Sequence, residues 1–213
     1  YSSGRGDTMR RHILLGITGG MGSGKSYVAK VMESCLSIPV YDCDSHAKRL
    51  CNEDEDVRRK LSDLVGVELY AGGMLVKTVL SRYLFSSRDN ADKVEAIVHP
   101  AVRRDLERWT ATRQETIVAV ESAILYESGF NSLTDFVLYV DAGLETRIQR
   151  AMSRDGLTRR DVESRMALQQ ADEARGKADF IVDNNGTDRD RMEGVLREII
   201  TFVESNIKNK QSC

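Results

Sequence analysis

Proline is nearly absent from this 213-residue chain. Only Pro39 and Pro100 occur, so no segment resembles a proline-rich linker, and one core with insertions is the expected organisation. Cysteine is sparse too. Cys35, Cys43, Cys51 and Cys213 contain no C-x-x-C pair, which excludes a disulfide framework and points to free thiols in a reducing, cytosolic compartment. The spacing of the first three fits no usual zinc pattern. A charge excess is also missing. The 31 Lys and Arg against 33 Asp and Glu leave a net charge of −2, without the basic surplus of a general nucleic-acid or membrane-surface binder. No apolar run is longer than Phe136 to Val140, against the roughly 20 residues of a membrane-spanning helix. Tyr1 to Thr8 is polar and precedes Met9, so it reads as an expression remnant ahead of a native start at Met9. These absences leave a soluble protein of ordinary composition, 30% charged and 41% apolar, expected to work as a monomer with at most weak self-association.

Short, continuous, β-branched runs at His12–Thr18, Ile38–Tyr41, Thr116–Val120, Phe136–Val140 and Phe180–Val182 predict strands of a parallel sheet covered on both faces. Between them lie helical patterns: Val28, Val31, Met32, Cys35 and Leu36; Val57, Leu61, Leu64 and Val65; Val94, Ile97, Val98, Ala101 and Val102. Pro100 is expected to begin or kink a helix. Thr158-Arg159-Arg160-Asp161 carries the spacing of a helix start, and Met192, Val195, Leu196, Ile199 and Val203 mark the closing helix. Strands alternating with helices imply an α/β fold.

Gly19-Gly20-Met21-Gly22-Ser23-Gly24-Lys25-Ser26 fits G-x-x-x-x-G-K-[ST] between a predicted strand and a predicted helix. The glycines let backbone N–H groups approach a polyphosphate, helped by the positive end of the following helix dipole. Lys25 is expected on the β- and γ-phosphates, and Ser26 supplies a hydroxyl to Mg²⁺. The loop thus predicts a nucleoside triphosphate and a metal, without naming an acceptor.

If the second strand stays extended, Asp42 and Asp44 point the same way, an arrangement suited to a metal or to a hydroxyl awaiting phosphorylation. The alternative is that one of them caps the helix from Ser45 onward. Glu121, after the third strand, is either a carboxylate holding the metal through a water or a plain strand-end surface acid. Arg147, Arg150 and Arg154 fall on one helical face, as they would in a lid closing over the γ-phosphate. For Arg147, Arg159 and Arg160 the expected role is a solvated face paired with Glu145, Asp155, Asp161 and Glu163. His99 is expected to be a packed or capped residue. Asp183-Asn184-Asn185-Gly186 formally matches the D-x-x-G of a GTP switch, but Asn209-Lys210-Gln211-Ser212 lacks the Asp that base reading needs.

Taken in order, the phosphate loop, Tyr41-Asp42-Cys43-Asp44, His99-Pro100, Leu125-Tyr126-Glu127, Arg150-Ala151-Met152-Ser153-Arg154-Asp155 and Asp183-Asn184-Asn185-Gly186 resemble the dephospho-CoA kinase family, over nearly all of Arg11 to Ile200. Three positions depart from the family pattern: Cys43 replaces an alanine, no proline follows Ser122, and Lys77 stands where arginine is common. The resemblance implies a nucleoside monophosphate kinase-like fold with a five-stranded parallel sheet, a P-loop core over residues 9–44, 112–145 and 178–213, a helical CoA-binding insertion over 45–111 and an arginine lid over 146–177. It implies ATP and dephospho-CoA as substrates, Asp44 as acceptor of the ribose 3′-hydroxyl proton, and Lys25 and Arg150 on the transferring phosphoryl. Asp42 and His99 would lie at the acceptor site. Gly20, Met21, Gly22, Ser23, Gly24, Lys25, Ser26, Tyr27, Arg154, Asn184 and Gly186 would bind ATP. The nearest competing reading is another small-molecule kinase, for a nucleoside or a nucleotide.

Overall fold

The computed structural model describes residues 12–167 and 171–211. The proposed remnant Tyr1–Thr8, the start at Met9 and Cys213 lie outside the described residues. In chain order the elements are β1 (Ile13–Thr18), α1 (Lys25–Leu36), β2 (Val40–Asp42), α2 (Cys43–Glu53), α3 (Glu55–Val65), β3 (Tyr70–Ala71), β4 (Met74–Leu75), α4 (Lys77–Ser86), α5 (Arg88–Ala111), β5 (Ile117–Glu121), β6 (Phe136–Asp141), α6 (Leu144–Asp155), α7 (Arg159–Ala167), α8 (Ala171–Lys177), β7 (Phe180–Asp183) and α9 (Arg189–Gln211).

Five strands form one parallel sheet in the order β2-β5-β1-β6-β7, with Gly16 in register with Val120 on one side and Val137 on the other. The alternation of strand side chains explains why the predicted runs are apolar throughout. Leu15, Ile17, Ala119, Leu138 and Val140 join Val28 and Met32 of α1 and Met192 and Leu196 of α9 in one buried cluster. Their neighbours Leu14, Val118, Val120, Val137 and Tyr139 face the other way and are buried too. All five expected strands are present, within two residues of the predicted ends. The two-residue strands β3 and β4, hinged on Gly72-Gly73, are too short to leave a periodic signal.

The chain divides into two compact units, one built from the chain up to Val40 and from Arg113 on, the other from Tyr41–Thr112. In the second, α2, α3 and α4 all pack on α5. Of the two expectations for Pro100, that it begins a helix is overturned: it sits inside α5. The ring stands on the exposed side, where solvent can reach the carbonyl that its missing N–H leaves free. The predicted start of α7 is a capping pair: Asp161 N–H donates to Thr158 Oγ1 at 3.2 Å and the Thr158 hydroxyl to Asp161 Oδ2 at 2.6 Å.

Candidate active site

In the first unit, the loop from Gly19 to Gly24 joins the end of β1 to the first turn of α1. Gly22 and Gly24 adopt φ of 76° and 92°, a region that side-chain-bearing residues avoid. Space forbids a side chain as well: a Cβ at Gly22 would lie 2.2 Å from the Arg147 carbonyl oxygen, and one at Gly24 2.1 Å from Asn184 Nδ2. The loop is therefore shaped by its neighbours as much as by its own glycines.

Lys25 Nζ donates to the carbonyls of Gly19 at 2.9 Å and Gly20 at 3.3 Å. Burial pulls its pKa down to about 8; Glu121 acts against this, while Arg154 and Arg147 add to it. Polyphosphate would favour the charged ammonium, so above the pKa of the free enzyme, binding must take up a proton. ATP affinity should therefore weaken about tenfold between pH 7 and pH 9 in calorimetric titrations. Lys25→Arg, which stays charged throughout this range, should show a flat profile.

Ser23 is buried, and its hydroxyl has no hydrogen-bond partner among the described residues, an unmet donor at the centre of a loop suited to anions. Its carbonyl is well held: Asn184 Nδ2 donates to it at 2.8 Å and Arg150 Nη1 at 3.4 Å, while Arg150 Nη2 reaches the Asn184 carbonyl at 2.8 Å. Asn184, only 4% exposed, also donates its backbone N–H to the Asp141 carbonyl. Asn184 is thus a bridge between the end of β6, the phosphate loop and α6. Beside it, Asn185 Oδ1 accepts from Gly143 N–H at 2.7 Å, and Gly186 turns the chain at φ 76°. Tyr27 is half-buried against the main core cluster.

Ser26 is exposed at the start of α1. Glu121 ends β5 in register with Ile17 and is 9% exposed, which overturns its reading as a surface acid. No group of three or more His, Cys, Asp or Glu able to hold a metal occurs among the described residues. One hydroxyl and one carboxylate nevertheless fit Mg²⁺, which takes hard oxygen ligands and keeps waters and substrate phosphates around it.

The arginines divide differently from expectation. Arg159 does pair with acids, Glu145 at 2.9 Å and Glu163 at 2.8 Å. Arg147 does not: its Nε donates to the Met21 carbonyl at 3.0 Å, because one turn of α6 separates it from Arg150 on the face that meets the loop. Arg154 forms a two-point ion pair with Asp155. A small recess beside the loop is lined by Thr18, Gly19, Gly20, Ala123, Glu127, Tyr139 and Ala174; nothing local in the sequence gathers these residues.

In the second unit, the extended Asp42-x-Asp44 arrangement does not exist. β2 ends at Asp42, whose carboxylate caps α2 by accepting from Asp44 N–H at 3.0 Å, Ser45 N–H at 3.2 Å and the Ser45 hydroxyl at 2.6 Å. Here the free amides of the helix start, satisfied by the Asp42 carboxylate, take the place of strand continuation. Asp44 therefore occupies the first turn of α2, 79% exposed, with Lys48 Nζ 2.5 Å from its carboxylate. His99 is half-buried on α5, and burial lowers its pKa.

One carboxylate missed in the sequence organises this unit. Asp105 Oδ2 accepts from the Tyr41 hydroxyl at 2.7 Å and Arg49 Nη2 at 2.7 Å, and lies 3.0 Å from His46 Nδ1. The wholly buried Tyr41 ring stacks on His46 with centroids 3.8 Å apart and meets Trp109 edge-on. The pairing links residues 64 apart in the chain, so no local pattern signals it. Burial pushes the Asp105 carboxyl up, but the donors from Tyr41, Arg49 and His46 outweigh this and hold it below the usual range. Asp105→Ala should destabilise the protein by about 3 kcal/mol in denaturant titrations, since it strands a buried hydroxyl and a guanidinium. A lowered carboxyl pKa stabilises above the unfolded value and ceases to do so on acidification. The gap between wild type and Asp105→Asn should accordingly shrink below pH about 4.

The comparisons with known proteins bear on family and fold. Residues 13–190 match the model of the CoaE dephospho-CoA kinase family. A dephospho-CoA kinase of Porphyromonas gingivalis is 44% identical over 166 residues, 78% of this chain and 82% of that protein. The crystal structure of a Thermus thermophilus protein, 35% identical, superposes with a TM-score of 0.78 over 90% of this chain and 98% of the other. A Bacteroides thetaiotaomicron shikimate kinase, 17% identical, shares the fold at a TM-score of 0.55, covering 90% and 98% of the two chains. With its phosphate loop closing β1 onto α1, and with that match across the sheet and the helical unit alike, the chain belongs to the dephospho-CoA kinase family.

Proposed function

We propose that the chain transfers the γ-phosphoryl group of ATP to the ribose 3′-hydroxyl of dephospho-CoA, giving ADP and coenzyme A, the last step of coenzyme A synthesis. The observation that carries the reading is the phosphate loop, with Lys25 bonded across its mouth and Arg150 fixed beside it by two carbonyls, in a chain of this family.

The 3′-oxygen forms the new P–O bond, the bond from the γ-phosphorus to the β–γ bridging oxygen breaks, and the hydroxyl proton passes to the Asp44 carboxylate. Such transfers run through a loose transition state, so alignment and charge stabilisation matter more than base strength. Loop amides from Gly20 to Ser26 cradle the phosphates. Lys25 and Arg150 hold the transferring group, with Arg154 released from Asp155 to join them. Asn184 and Gly186 shape the adenine side, and Tyr27 backs the loop from α1. Asp42 and His99 serve the acceptor. Mg²⁺, when bound, neutralises charge on the β- and γ-oxygens; Ser26 would hold it directly and Glu121 through a water. In this reading residues 45–111 bind the acceptor and residues 146–177 act as a lid over ATP. In this reading the protein works as a monomer in the cytosol; the described cysteines Cys35, Cys43 and Cys51 are not in disulfides. Among the described residues no helix is long and apolar enough to cross a membrane.

The test is ADP release from ATP and Mg²⁺ with dephospho-CoA, set beside a panel of nucleosides, nucleotides and shikimate, with the product identified by mass. Coenzyme A should form with dephospho-CoA alone; turnover only with another acceptor would overturn the assignment.

A further inference from the structure

Arg147 is the side chain whose observed place differs most from its expected one, and the surroundings of the phosphate loop explain what it does there. Its Nε donates to the Met21 carbonyl at 3.0 Å. Its guanidinium lies against the α-carbon of Gly20, where a Cβ would meet Nη2 at 2.2 Å and Cζ at 2.6 Å. Its own backbone closes on the next glycine, since a Cβ on Gly22 would stand 2.9 Å from the Arg147 Cα. The Met21 side chain meanwhile packs against the small cluster of Ile148, Ala151 and Val162 that joins α6 to α7. Three successive loop residues, Gly20, Met21 and Gly22, are thus held by one residue of α6 and its neighbours.

We propose that Arg147 is a positioning residue for the kinase reaction: by donating from Nε to the Met21 carbonyl, it holds the crest of the phosphate loop in the shape that receives the ATP phosphates. The inference rests on the reading of the loop as the ATP site. It assigns Arg147 no contact with substrate. Within the loop, Ser23 N–H donates to the Gly20 carbonyl at 3.1 Å and Lys25 Nζ reaches the Gly19 and Gly20 carbonyls; the Arg147 donor adds a tie from outside the loop, on the Met21 peptide plane. A misoriented plane turns an amide away from the phosphates, weakening ATP binding while leaving the acceptor and the chemical step largely alone.

The role is tested by three substitutions. Glutamine places its Nε2 the same number of bonds from the backbone as the arginine Nε, so Arg147→Gln keeps the donor and removes the charge. Arg147→Met keeps the length and removes the donor. Arg147→Lys keeps the charge without the planar donor. Amide hydrogen exchange of the free protein over residues 19–26 and calorimetric ATP binding are read together with kcat and both KM values. Arg147→Met should raise loop exchange and weaken ATP binding roughly 3- to 10-fold, as the loss of one hydrogen bond implies. Its kcat at saturating ATP and its KM for dephospho-CoA should stay within about twofold of wild type. Arg147→Gln should keep loop protection and ATP affinity. If Arg147→Met behaves as wild type, or if Arg147→Lys restores binding and Arg147→Gln does not, the positioning role is wrong and charge or nothing replaces it. Failure of the wild-type chain to bind ATP would instead overturn the functional reading. Hydrogen exchange in the free protein would still report whether Arg147 holds the loop.

Discussion

Arg150→Ala should lower kcat on the order of 10³-fold while weakening ATP binding less than tenfold. The asymmetry follows from how Arg150 is held. One Nη binds the Asn184 carbonyl at 2.8 Å and the other reaches the Ser23 carbonyl at 3.4 Å, so the guanidinium is fixed before substrate arrives and needs no reorganisation as charge spreads over the γ-phosphoryl oxygens. A preorganised donor of this kind stabilises the transition state more than the ground state. The modest loss of ATP affinity comes from the slackened Ser23 carbonyl, still held by Asn184 Nδ2 at 2.8 Å. Arg150→Lys should recover only part of the rate, because an ammonium lacks the planar fork that is held by two carbonyls and still presents N–H groups to the phosphoryl oxygens. The measurement is kcat at saturating ATP and dephospho-CoA beside calorimetric ATP binding. Turnover near wild type in Arg150→Ala would remove the residue from the transfer step.

The sheet and the phosphate loop were legible because their signals are local: five β-branched runs, a glycine pattern and a helical stripe all lie within a few residues. What the sequence hid was contact at long range. Arg147 looked like one more arginine among acids on a solvated face, since pairing at i+4 is visible in a string of letters and a bond to a carbonyl 126 residues away is not. Asp105 escaped for the same reason, its three donors being drawn from Tyr41, His46 and Arg49 across the helical unit. Asn184 was assigned to ATP by resemblance; its observed bonds to the Ser23 carbonyl and the Asp141 carbonyl are a structural duty no motif announces. Asp42 and Asp44 carry a local signal with two readings, extended acids or a helix cap, and the structure realises the cap through Asp42. Capping and strand continuation use the same letters, and the helix start won because Asp42 satisfies two backbone amides at once.

That correction sharpens what Asp44 should do. On a helix, with 79% of its side chain exposed and its carboxylate held by Lys48 at 2.5 Å, it is available to an incoming hydroxyl. Asp44→Asn should cut kcat by about 10³-fold, within the span that a positioned proton acceptor contributes, and leave ATP affinity unchanged. Stability cannot account for such a loss: exposed pairs of this kind and charges at a helix start are each worth at most about 1 kcal/mol, so the melting temperature should move by only a few degrees. Asp42→Asn separates the two acids. Asparagine caps as well as aspartate, so that variant keeps the start of α2 in place while removing one charge, and its kcat should fall less than about tenfold. The decisive comparison is turnover of both variants beside ATP titrations. If Asp44→Asn loses ATP affinity and turnover together, Asp44 holds the metal or the fold, and the proton must leave by another group. If Asp42→Asn proves the more damaging of the two, the acceptor's proton belongs to the capping acid instead, despite the two amides that already occupy it.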